Sequence, residues 1–159
     1  MASETATPTT TATQQLPGNW KAGAAGGIVG ALVFGAMMAV MSPGVLQGAI
    51  PSVYGFSPPN GAAGFTIHIA HGAVLGVVFA ALLGVTGLSG SAARKQVGAG
   101  LAYGLLAWVV LAVIVMPIWL QAVGFGMAPE LPNIGTQSLI GHAVYGVVLG
   151  GVYYALEGI

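Results

Sequence analysis

Cysteine is absent from the 159-residue chain and charge nearly so: three Lys or Arg and three Asp or Glu, 4% of the residues. Without cysteine there are no disulfides, no thiolate metal sites and no cysteine-ligated iron-sulfur clusters. A net charge of zero leaves no basic stripe to meet nucleic acid. Soluble domains carry roughly a quarter of their residues as charged side chains, so this composition lies outside their range. What fills the chain is apolar: 56% hydrophobic residues and a mean hydropathy of +0.90, the signature of an integral membrane protein.

Four apolar stretches stand out, Ala22 to Met41, Ala63 to Val85, Val97 to Met116 and Gln137 to Leu156, none containing Asp, Glu, Lys or Arg. Each is near the ~20 residues with which a helix crosses the hydrocarbon layer. Backbone amides left unpaired in lipid are costly, so continuous runs of this length predict helices rather than alternating barrel strands. The expected fold is all-α, an antiparallel four-helix transmembrane bundle in the lipid bilayer.

The bundle is written twice. Ala25 to Gln47 aligns with Ala99 to Gln121 at an offset of 74, with seven identities in 23 positions, ending in a shared Pro-x-x-Leu-Gln. AVLGVV from Ala73 to Val78 recurs as AVYGVV from Ala143 to Val148 at an offset of 70, which implies that the second copy has lost four residues. The chain thus divides into a disordered Thr-rich tail over residues 1–20, a first hairpin repeat over 21–91 and a second over 92–159. The tail has neither the basic start nor the apolar core of a signal peptide. Lys21, Arg94 and Lys95, the only basic residues, all fall on one side of an even number of spans. The positive-inside rule then makes both termini cytoplasmic in a multi-pass protein of the cell membrane, with the Pro-rich loops Ser42 to Asn60 and Gln121 to Thr136 outside.

Glycine punctuates every span at intervals of four: Gly23, Gly27 and Gly35 with Ala31, Gly72, Gly76 and Gly84 with Ala80, Gly100 and Gly104, Gly146 and Gly150. Small residues in register let helix backbones approach where lipid supplies no hydrophobic drive, so these stripes predict close helix packing. Pro43 and Pro117 stand at matching ends of the first and third spans, where a proline ends or kinks a helix; Ile118, Trp119 and Leu120 offer a route past the kink.

Within the spans the only side chains that titrate near neutrality are His68, His71 and His142. His68 and His71 share one helix face, and all three lie within about 12 Å of the outer ends of their helices. Two readings follow. In one the imidazoles hydrogen-bond between helices, with Thr66, Ser138 and Tyr145 as partners. In the other His68, His71 and His142 hold a transition metal, or His71 and His142 hold haem b, with Glu130, Met127 or water completing a metal's ligands. The AVxGVV alignment sets His142 against Gly72, so a symmetric pair does not follow from it, and no basic residue on the outer side would meet haem propionates.

The Thr-rich tail, AAGGIVGALVFGAMMAVMSPGVLQGAIPSVYG, HIAHGAVLGVVFAALLG, MPIWLQAVGF and GHAVYGVVLGGVYYALE together resemble a family of small four-span membrane proteins of halophilic archaea whose members have no assigned activity. The resemblance covers nearly everything after residue 20. It implies an origin and a fold. Members often bear a histidine-kinase label, but a kinase needs a soluble nucleotide-binding domain and no segment here is long enough to build one. The expectation is a non-enzymatic assembly module or accessory subunit, in a larger membrane complex or a homo-oligomer; the competing expectation is an electron-transfer protein with an outward histidine site.

Overall fold

The computed structural model describes residues 18–159. The tail predicted over 1–20 therefore lies outside the described residues up to position 17, and its last residues are ordered: Asn19 caps a helix that begins at Trp20. The Asn19 carboxamide oxygen accepts from the amides of Lys21 and Ala22, each at 3.1 Å, which satisfies two of the donors a helix start leaves free. Four helices are long and apolar enough to cross a membrane: α1 (Trp20–Met41), α2 (Gly61–Val85), α3 (Ala93–Ala122) and α4 (Thr136–Leu156). The protein is all-α, a four-helix bundle suited to lipid. The end of the bundle bearing the two long loops is called the outer end below.

Each predicted span lies within an observed helix; α3, at 30 residues, extends beyond both predicted limits. Pro43 and Pro117 act differently. In the first half the helix stops at Met41 and Ser42 leaves helical geometry, with φ −147° and ψ 55°. A short outer helix follows, wound widely over Val45–Ala49 and tightening at Ile50–Ser52, where a plain loop was expected. In the second half α3 runs through Pro117 to Ala122, and the wide pitch falls before the proline, over Trp108–Val115.

Proline removes an amide and so frees the carbonyl four residues back, which in lipid needs another donor. The fold supplies one in both halves. Pro51 frees the Gln47 carbonyl, which accepts from the Asn60 amide at 2.8 Å; Pro117 frees the Val113 carbonyl, which accepts from the Asn133 amide at 3.1 Å. Asn60 also caps α2 through its side chain, at 3.0 Å from the Ala63 amide.

α1 packs against both α2 and α4, α4 packs against α3, and α2 touches α3 sparingly, so the helices form a curved row in the order α2, α1, α4, α3. The glycine stripes lie at these contacts. A Cβ on Gly27 would run into the Gly72 carbonyl, and one on Gly100 into the Gly146 carbonyl. A second stripe in α1, Gly26 and Gly30, receives Leu149 and Tyr145 of α4. The wide turns fall mostly beyond these contacts; the outer part of α3 makes few contacts with α4.

The two helix pairs make alike glycine contacts: Gly76 meets the Gly23 carbonyl and Gly27 Cα as Gly146 meets the Gly100 carbonyl and Gly104 Cα.

Candidate functional site: the histidine end of the bundle

His68 and His142 flank one side chain of α1. The Phe34 ring meets both edge-on, with centroids 5.2 Å from His68 and 4.9 Å from His142. Phe34 is there because Gly141 leaves room: a Cβ at that position would overlap the phenyl ring. The Nδ1 N–H of His142 donates to the Ser138 carbonyl of its own helix at 2.8 Å. His68 lies against the Ala31 backbone and Gly35 of α1, with its Nε2 buried and in no well-aligned hydrogen bond.

His71 points elsewhere. It is exposed, and its Nε2 is hydrogen-bonded to the Tyr54 hydroxyl of the outer loop at 2.5 Å. Among the described residues no three His, Cys, Asp or Glu side chains are grouped to hold a metal ion. The predicted trio of His68, His71 and His142 is thus split, because residues three apart on a helix diverge by about 60° and α2 turns only one of them toward α1. Glu130 is exposed. Met127 is exposed too, on the rim of a shallow depression of about 440 Å³ between the two outer loops.

The interhelical hydrogen bonds expected of histidine are made by tyrosine. Tyr145 donates its hydroxyl to the Gly72 carbonyl at 2.9 Å and Tyr103 donates to the Leu75 carbonyl, also at 2.9 Å. These bonds tie α4 and α3 to α2, which the row of helices otherwise leaves at its far edge.

A second polar group, missed in the sequence, closes the inner end. The Glu157 carboxylate accepts from Gln96 Nε2 at 2.5 Å and from the Gly90 amide at 2.9 Å, while its backbone carbonyl accepts from Asn19 Nδ2 at 3.1 Å. The Tyr153 hydroxyl, on a side chain 0% exposed, accepts from the Asn19 amide and shares a hydrogen bond with Ser89 Oγ at 3.0 Å. Four chain segments meet there: the starts of α1 and α3, the loop between α2 and α3, and the end of α4. The signal available was Glu157, the acid nearest any apolar span.

No protein-family profile, curated protein or solved structure matches this chain. The site's chemistry therefore rests on the residues themselves.

Proposed function

We infer that the protein is a non-enzymatic membrane module, an assembly unit or accessory subunit built from two tandem hairpin repeats. One observation carries the reading: the hydroxyls of Tyr103 and Tyr145 and the side chains of Gln96, Tyr153 and Glu157 all bond to neighbouring segments of the chain itself. Groups held this way fix helix against helix and are not free as acid, base or nucleophile. The resemblance to four-span proteins of halophilic archaea agrees with a module rather than a kinase. Lys21, Arg94 and Lys95 all lie toward the inner end, which supports cytoplasmic termini in the cell membrane.

The test is the particle the chain forms. Extracted from its native membrane in mild detergent, it is expected to sediment as a complex or homo-oligomer heavier than one chain with its micelle. A particle of one chain, or a Soret band marking a haem electron carrier, overturns the reading.

A further inference from the structure

The first outer loop does not stay at the end of the bundle. Its Tyr54 hydroxyl is hydrogen-bonded to His71 Nε2 at 2.5 Å, and the two ring centroids are 5.6 Å apart. His71 lies ten residues into α2, about 15 Å along the axis from its outer end. With 25 residues α2 is about 36 Å long, so centred on ~30 Å of hydrocarbon it projects about 3 Å at each end. Even with a full turn of about 5 Å outside, His71 sits roughly 10 Å inside the hydrocarbon layer. Its side chain leans back toward the outer end, which still leaves the Tyr54 ring beneath the boundary.

Backbone at that depth must be paired within the protein, and this turn meets the demand. The amides of Val53, Tyr54, Gly55 and Phe56 donate to the carbonyls of Ala49, Pro51, Ser52 and Pro51 at 3.2, 3.1, 3.1 and 3.1 Å. The Val53 carbonyl accepts from Trp119 Nε1 of α3 at 3.2 Å. Tyr54, Phe56 and Trp119 are each about half exposed, and no Asp, Glu, Lys or Arg lies between Ser42 and Asn60. Inward along α2 the exposed surface continues through Val74 and Val78, the face that this span turns to lipid. The aromatic patch is an extension of that face.

We propose that the Val53–Phe56 turn is sunk in the outer leaflet, where Tyr54, Phe56 and Trp119 pack against the acyl chains of outer-leaflet lipids. Past Ser57 the chain returns to the surface at Asn60, the cap of α2. The lipid contact stands independently of the assembly reading, because a lone chain and a complex alike can carry it.

The test uses the full chain in phosphatidylcholine vesicles. A nitroxide on Phe56→Cys is compared with one on Val74→Cys, in the lipid-facing part of α2, and one on Gly158→Cys, at the exposed C-terminus. The ratio of collisions with oxygen to collisions with a water-soluble nickel chelate should match Val74→Cys and exceed Gly158→Cys several-fold. A ratio equal to that of Gly158→Cys overturns the proposal and marks a water-filled notch. The unaltered chain gives a second readout, needed if Phe56→Cys does not fold. Irradiated with phosphatidylcholine bearing a diazirine in one acyl chain, it should carry adducts on Tyr54 or Phe56 at a yield like that on Val74. Adducts on Val74 with none on Tyr54 or Phe56 overturn the proposal, as they would if a second protein chain covered the turn.

Discussion

A methyl group at the right glycine decides whether two helices of this protein can touch. At Gly27 and Gly100 an added Cβ meets the carbonyls of Gly72 and Gly146, whereas at Gly98 and Gly151 it meets nothing within 4 Å. Gly27→Ala and Gly100→Ala should therefore cost about 1–3 kcal/mol, the usual range for overpacking. Gly98→Ala and Gly151→Ala should be neutral, or stabilising by up to about 1 kcal/mol through helix propensity. Reversible unfolding by SDS titration measures both pairs, and equal effects would show that close backbone approach is not what holds the bundle. The stripes themselves were legible because a spacing of four is a helical repeat. The fate of each histidine was not: spacing places His68 and His71 on one broad face, but Phe34, Gly141 and Tyr54, which divide them, come from other segments.

At the scale of the element, each proline is intelligible only with the asparagine that answers it. Pro117 vacates the Val113 carbonyl and the Asn133 amide occupies it. Pro117→Ala restores an intrahelical donor, which competes for that carbonyl and releases the Asn133 amide. Hydrogen exchange at Asn133 should then quicken roughly fivefold, the equivalent of about 1 kcal/mol for one hydrogen bond. Unchanged exchange would mean that the loop is held by other contacts. The prolines were visible as breaks in the pattern. Which one ends a helix and which is passed through was set by the wide turn over Trp108–Val115 and by the donor the loop returns.

For the molecule as a whole, the inner end is closed by side chains and the outer end by loops. Glu157 joins Gln96, a residue 0% exposed, to the Gly90 amide, so removing it strands one buried donor and frees a loop. Glu157→Ala should lower stability by about 1–3 kcal/mol, seen as a drop in Tm in detergent, with Glu157→Gln losing less. No change would remove the inner closure from the account. Orientation is tested by the absence of cysteine, which makes any introduced thiol unique. Ser57→Cys in intact cells should react with an impermeant maleimide, and Gly158→Cys only after lysis; the reverse pattern inverts the topology. Four spans, their helical nature and the small faces they present followed from composition and period, because lipid demands internally paired backbone and close contact demands small residues at helical spacing. The order of the helices in the row, the gathering of His68 and His142 about Phe34, and the closure by Glu157 were decided only in three dimensions. Each depends on which face meets which neighbour, and a helix turns by about 100° per residue, so a one-residue difference in register changes every partner.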